Sequence, residues 1–279
     1  MTEERRAAVL GSPISHSLSP VLHRAAYAEM GLDNWRYDPY EVDEPALPGF
    51  LASLHLEEEG WAGLSLTMPL KRAIIPLLDG VGETAREADA VNTVVFTPDG
   101  RRVGDNTDVP GIVEALRERG VTEVESAAVL GAGATASSAL AALARICRGP
   151  VTAYVRSAER AAQLRAVGER VGLEVRPADW ERAREAFGSA LVVSTTPEGV
   201  SDPLAEFVPD SPGVLFDVLY QPWPTALAAA WSGKGGTVVG GLDLLVHQAV
   251  LQVEMMTGRP APLAVMREAG ERALAERTR

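Results

Sequence analysis

The chain has 279 residues, of which 46% are hydrophobic and 23% charged, and a formal net charge of −12. That length allows two domains of ordinary size or one large α/β domain, and the apolar share suffices for a sizeable core in each. The acidic balance argues against a nucleic-acid partner, and the single Cys147 rules out an intrachain disulfide framework. No run approaches membrane-spanning length, and the N-terminus lacks the apolar stretch of a signal peptide, so a cytoplasmic protein without membrane attachment is expected.

In chain order, residues 7–11 (AAVLG) read as a strand running into a glycine turn. Ser19-Pro20 then predicts a helix, with Ser19 as its cap and a stop near Gly31. Residues 35–40 predict a second strand, 47–59 a second helix and 63–66 a third strand. Residues 91–96 and 101–104 flank Pro98-Asp99-Gly100, a hairpin signal. A helix over 108–119 bridges to a β-α-β rhythm: AAVL at 127–130, a helix over 135–148, VTAYV at 151–155, a helix over 158–167, then LEV near 173. A helix around 180–187, LVVS at 191–194 and strands near 213–218 and 237–239 complete the pattern of a mostly parallel sheet with helices on both faces. After Gly240-Gly241 come a long helix closed by Gly258 and a final helix past Pro260 and Pro262. If these return to the N-terminal part, residues 1–108 with 240–279 form one domain and 109–239 an inserted second.

The segment Gly131-Ala132-Gly133-Ala134 follows a strand and opens a helix. Gly131 permits a tight turn, Gly133 close backbone approach, and the helix start offers unpaired N–H groups to a pyrophosphate. Ala136 stands where a third glycine is usual; dinucleotide binding is the main reading, and a structural turn or another ligand the alternative. An NAD site usually places an acidic residue at the end of the next strand. Here stand Arg156, Ser157 and Arg160, whose guanidiniums and hydroxyl suit a 2′-phosphate, so NADP is favoured over NAD.

Other polar residues gather around strand ends. Ser15 and Ser17 share a face in an extended segment and can donate together to a carboxylate. Lys71 is suited to binding substrate, to proton transfer or to a surface ion pair; Asn92 to orienting a hydroxyl; Asp108 to capping a helix or pairing with a lysine. Carbonyl reduction builds negative charge on oxygen, and a lysine beside that oxygen stabilises the charge and supplies the proton.

Taken together, the chain closely resembles the shikimate dehydrogenase family. The matching motifs are GSPISHSLSP at 11–20 with His23, LTMPLK at 66–71, DAVNT at 89–93, GDNTD at 104–108, the glycine turn, DVLYQP at 217–222 with Thr225, and GGL at 240–242 leading to Gln248. The resemblance implies a Rossmann-like NADP-binding domain beside an α/β substrate-binding domain completed by C-terminal helices. It implies NADPH-dependent reduction of 3-dehydroshikimate in aromatic amino-acid (chorismate) precursor synthesis, by a monomer or homodimer that needs no metal. Lys71 and Asp108 would be catalytic. Ser15, Ser17, Thr67, Asn92, Tyr220 and Gln248 would bind substrate. Gly131, Ala132, Gly133, Ala134, Arg156, Ser157, Arg160, Gly241 and Leu244 would hold the cofactor. The family's usual Asn at 65 is Ser65, the Asn before the cofactor arginine is Val155, and Asp243-Leu244 replaces a common Gly-Met. A quinate/shikimate enzyme with relaxed substrate or cofactor choice and a non-catalytic dinucleotide-binding regulator are the alternatives.

Overall fold

The computed structural model describes residues 4–277, apart from the side chains of Glu57 and Glu58. It divides into two compact units, residues 1–107 with 245–279, and residues 108–244. Each has its own sheet of six strands.

The first unit carries β1 (Arg5–Gly11), β2 (Trp35–Glu41), β3 (Trp61–Leu66), β4 (Gly80–Val81), β5 (Thr93–Phe96) and β6 (Arg102–Asp105), laid out in the order β2-β1-β3-β5-β6-β4. β1 runs parallel to both β2 and β3, while β5 is antiparallel to β3 and to β6. β3 (WAGLSL) is buried at every residue, as its nearly continuous apolar run requires. The edge strand β2 tolerates Pro39, which could not donate to a ladder inside the sheet. Leu10, Leu47, Leu51, Leu64, Leu70 and Val94 are among the core on one face. The helix Ser19–Glu29 packs with Leu263–Arg277, so the chain's end closes the unit begun by its start. Gly63 lets the helix Gly241–Thr257 approach: a Cβ there would meet Val94 O at 2.5 Å and Met256 Cγ at 2.9 Å.

The second unit carries β7 (Ala127–Leu130), β8 (Val151–Val155), β9 (Val175–Asp179), β10 (Leu191–Ser194), β11 (Val214–Asp217) and β12 (Thr237–Val239). All pairings are parallel and the order is β12-β11-β10-β7-β8-β9. Strand order reverses between β7 and β10, and ligands of doubly wound sheets bind beyond the carboxyl ends of the strands at such a reversal. This is the Rossmann-like arrangement expected of the chain. Trp231 is fully buried beneath the sheet, donates Nε1–H to Gly213 O at 2.9 Å, and meets Phe187 edge-on at 5.2 Å between centroids.

Several elements depart from expectation for identifiable reasons. The helix over 47–59 is two short ones, Leu47–Ala52 and Leu56–Glu59, because the Ser53 hydroxyl bonds back to Phe50 O and ends the first. Ser19 is the first helical residue and not the cap; the cap position is Leu18, and the Ser17 hydroxyl accepts the Ser19 N–H at 3.3 Å. The helix after the glycine turn spans Ala134–Leu143 and stops short of Arg148. The segment after β9 is a 3-10 helix, Trp180–Gly188, whose spacing of three aligns Trp180, Ala183 and Ala186 toward the core. Cys147 is half-buried, and burial pushes its thiol up, away from the reactive thiolate. Among the described residues, no helix is long and apolar enough to cross a membrane.

Trp231→Ala is expected to cost the second unit about 3–5 kcal/mol. The readout is earlier urea unfolding of β10 and β11 amides by hydrogen exchange; an unshifted midpoint would show that the cavity collapses.

Candidate active site

In the first unit the chemistry-bearing residues meet at the carboxyl ends of β1, β3 and β6 and the start of β5. The turns after β1 and β3 are tied together: Thr67 N–H donates to Leu10 O at 2.9 Å and Ser12 N–H to Met68 O at 3.0 Å. Gly11 has no room for a side chain, since a Cβ would sit 2.3 Å from Thr67 Cγ2. Glu41, at the end of β2, accepts from the Ser12 hydroxyl at 2.6 Å and from Ile14 N–H at 2.9 Å. That carboxylate shapes the loop carrying Ser15 and Ser17, of which Ser15 is exposed and Ser17 half-buried. Lys71 lies half-buried in the short helix Leu70–Ala73, and its carbonyl accepts Val91 N–H at 2.8 Å, which brings it beside Asn92.

Asn92 is buried. Its Oδ1 accepts Thr107 N–H at 2.8 Å, and its Nδ2 donates to Thr107 Oγ1 at 2.9 Å and to Gln248 Oε1 at 3.4 Å. Gln248 in turn donates to Leu245 O at 2.8 Å. Thr107 immediately precedes Asp108, so the Asn92 amide fixes the residue from which Asp108 departs. Asp108 is buried at the first position of the helix Asp108–Glu118 and belongs to the second unit.

Behind these residues lies a hydrogen-bonded chain centred on Gln252, which the sequence reading does not single out. Gln252 Nε2 donates to Thr93 Oγ1 at 3.1 Å and to Asn92 O at 3.3 Å; its Oε1 accepts from the Ser65 hydroxyl at 2.8 Å and faces His23 Nε2 at 3.3 Å. Ser65 accepts from the Tyr37 hydroxyl at 2.7 Å. The ring of His23 stacks on Tyr37 with centroids 3.8 Å apart. The shorter polar group at Ser65 is therefore fully engaged from behind. The signal for Gln252 is a four-residue helical spacing from Gln248, which puts both amides on one face. Burial holds the His23 imidazolium down to about 3, against a smaller opposing effect of its bond to Gln252.

In the second unit the candidate cofactor residues lie along the carboxyl edge of the parallel sheet. Gly131 has φ +108°, and a Cβ there would lie 2.6 Å from Thr195 Oγ1, so the turn after β7 demands glycine. Gly133 differs. Its φ of −81° suits any residue, and no described atom lies within 4 Å of a Cβ placed there. It stands at the cap of the helix Ala134–Leu143, whose first N–H groups have no side-chain cap. Ala136 is buried and serves the close packing usually given to a third glycine.

Arg156, Ser157 and Arg160 follow β8, all exposed. The Ser157 hydroxyl caps the helix Ala158–Val171 by accepting Arg160 N–H at 3.2 Å, and Arg160 Nη1 reaches Ala132 O in the glycine turn at 3.5 Å. Among the described residues neither arginine has a carboxylate partner, whereas Arg24, Arg119, Arg148, Arg176, Arg182 and Arg272 each do. Two unneutralised guanidiniums beside a bare glycine turn make an anion-attracting corner on an acidic protein.

At β11 the carboxylate of Asp217 is fully buried, and burial pushes it above the usual carboxylate range. It accepts from the Thr225 hydroxyl at 2.7 Å and Leu219 N–H at 3.2 Å, shaping the loop that carries the half-buried Tyr220. Gly241 is required by contact, since a Cβ would lie 2.2 Å from Val218 O. Asp243 is buried; its Oδ2 accepts Gly240 N–H at 3.3 Å and pairs with Arg119 at 3.4 Å, so it caps its own helix. Leu244 beside it is buried.

Comparison with known proteins shows the family. A family model described as the shikimate dehydrogenase substrate binding domain matches residues 9–94, and one described as the shikimate 5′-dehydrogenase C-terminal domain matches 241–269. A Thermus thermophilus protein named shikimate dehydrogenase (NADP(+)) is 37% identical over 96% of this chain and 98% of its own. The chain belongs to the shikimate dehydrogenase family. Among solved structures, Mycobacterium tuberculosis shikimate dehydrogenase is 40% identical with a TM-score of 0.84, covering 98% of this chain and 99% of that one. The Thermus thermophilus shikimate 5-dehydrogenase in complex with NADP(H) and shikimate is 36% identical with a TM-score of 0.81, covering 96% and 99%.

His23 supplies a pH test of the buried chain. In the unfolded protein it takes up a proton near 6.5, in the fold only near 3. Between those values the unfolded state binds one more proton, so stability falls as pH falls, by about 1.4 kcal/mol per pH unit, and the effect vanishes above 6.5. His23→Asn should remove that slope between about pH 6 and 4 in urea titrations. A slope equal to the parent's would reject the neutral buried imidazole.

Proposed function

We propose that the chain catalyses the reversible reduction of 3-dehydroshikimate to shikimate with NADPH. The observation that supports this reading most is the gathering of Ser15, Ser17, Thr67, Lys71, Asn92 and Gln248 at one end of a single sheet. It occurs in a chain related over nearly its whole length to proteins named shikimate dehydrogenase (NADP(+)). The first unit would take the substrate and the second the cofactor.

Each group has a task that its chemistry suits. Ser15 and Ser17 donate hydroxyls to the substrate carboxylate; Thr67, Asn92, Gln248 and Tyr220 contact carboxylate or ring hydroxyls. NADPH, when bound, supplies the hydride that reduces the C3 carbonyl. The Lys71 ammonium stabilises the charge that develops on the C3 oxygen and delivers the proton that completes the hydroxyl, and Asp108 is assigned a bond to that hydroxyl. In the reverse direction the same lysine takes the proton back.

The cofactor assignment rests on the corner formed by the glycine turn and the two arginines. Nothing among the described residues requires glycine at 133, which fits a requirement set by close approach of a pyrophosphate. Arg156 and Arg160 offer a 2′-phosphate charges that no carboxylate among the described residues neutralises, and the Ser157 O–H remains to donate. Gly241 and Leu244 complete the cofactor set, Leu244 as an apolar wall.

Steady-state kinetics with NADPH and NADH, and with shikimate and quinate, test the assignment. A kcat/KM at least about tenfold higher for the NADP pair with shikimate is expected; comparable values for NAD would sink the cofactor choice. Comparable values for quinate would replace the substrate choice, and no turnover at all would favour a non-catalytic regulator. Lys71→Met should lower kcat by about 10²-fold or more while shikimate binding, measured directly, changes little. A nearly unchanged kcat would remove Lys71 from the chemistry.

A further inference from the structure

We infer that Trp180 is a specificity-determining residue that selects NADPH over NADH by holding Arg156 in position; the inference rests on the reading of Arg156 as a 2′-phosphate ligand. It begins with strand register. β8 and β9 run parallel, with Val155 opposite Asp179. The next residue of each, Arg156 and Trp180, therefore leaves the carboxyl end of the sheet side by side. The guanidinium of Arg156 lies over the Trp180 ring, its Cζ 5.3 Å from the ring centroid.

The two partners differ in freedom. Trp180 opens the 3-10 helix Trp180–Gly188 and packs against the core formed by Ala183, Ala186, Phe187 and Trp231, so its ring is fixed from behind. Arg156 is exposed and, among the described residues, has no carboxylate partner. A free arginine loses rotamer freedom when it binds a phosphate. Stacking on a fixed indole restricts that freedom beforehand and leaves the planar fork of N–H donors open at its edge. An ion pair with a carboxylate would restrain the side chain equally well, but would occupy the donors and neutralise the charge that a phosphate needs. An aromatic ring restrains it without that loss.

The consequence is selective. A cofactor without the 2′-phosphate has no use for the Arg156 fork, so loss of the ring should weaken NADPH and leave NADH unmoved. A residue that merely packs would move both alike.

The test measures Kd for NADPH and NADH by fluorescence titration of the full-length enzyme, for the parent, Trp180→Leu, Arg156→Ala and the double variant. Trp180→Leu is expected to raise the NADPH Kd about three- to tenfold and the NADH Kd less than about twofold. In the Arg156→Ala background the same change should have no selective effect. If Arg156→Ala weakens NADPH but Trp180→Leu does not, or weakens both cofactors equally, the role of Trp180 is overturned while the phosphate site stands. If Arg156→Ala leaves NADPH binding unchanged, the phosphate reading falls and this inference with it. Should Trp180→Leu not fold, Trp180→Met decides: a loss confined to NADPH supports the stack, and a parental ratio of the two constants overturns it.

Discussion

A side-chain amide buried among strands and helices must satisfy two donors and an acceptor, and in the first unit Gln252 and Asn92 do so with each other's surroundings. Gln252 commits its donors to Thr93 and the Asn92 carbonyl and its acceptor to Ser65 and His23. Asn92 commits its own to Thr107 and Gln248. Each bond contributes only about 1 kcal/mol net, but an orphaned partner costs about 1–3 kcal/mol, so the set holds together or fails together. The result is a rigid back wall joining β3, β5, the end of β6 and the helix that carries both glutamines. Thr67, Lys71 and the serine loop stand at the ends of strands in that same sheet, so their relative positions follow from backbone pairing and not from flexible side-chain reach.

The second unit solves the opposite problem, presenting donors without satisfying them internally. The helix after the glycine turn has no side-chain cap, and Gly133 leaves the space before it clear. Neighbouring loops are by contrast self-satisfied: Asp217 gathers Thr225 and Leu219, Asp243 caps its own helix, and Ser157 caps Ala158–Val171. An uncapped helix start and two guanidiniums that, among the described residues, have no carboxylate partner thus lie at the carboxyl ends of the neighbouring strands β7 and β8.

Legibility in the sequence follows the range of the forces involved. The parallel strands of the second unit are readable from AAVL, VTAYV and LVVS because double-sided burial writes a continuous apolar run. The glycine at 131 is readable because a local turn imposes it. Ser19 is not the cap that its local pattern suggests, because helix starts depend on φ and ψ at the entry, and Ser17 reaches the Ser19 N–H from two residues away. The helix pattern over 47–59 hides a break at Ser53, whose hydroxyl competes for a backbone carbonyl. Gln252, Glu41 and Thr195 act through partners distant in the chain, Gln252 bonding Ser65 187 positions away. No local pattern pairs them, although the Gln248–Gln252 spacing marks one helical face.

Asp243 shows how an acidic departure from a family pattern can be taken up within the fold. An acidic residue near a dinucleotide would oppose the cofactor's phosphates if its charge pointed outward. Here the carboxylate is buried, bonded to Gly240 N–H and paired with Arg119, so its charge is engaged by the helix start and by a cation of the same unit. The adjacent Leu244 remains apolar and buried. A charge added to the sequence at a conspicuous place therefore need not be a charge added to the binding surface. Arg156 is the reverse case: among the described residues it has no carboxylate partner, and its guanidinium lies over the Trp180 ring.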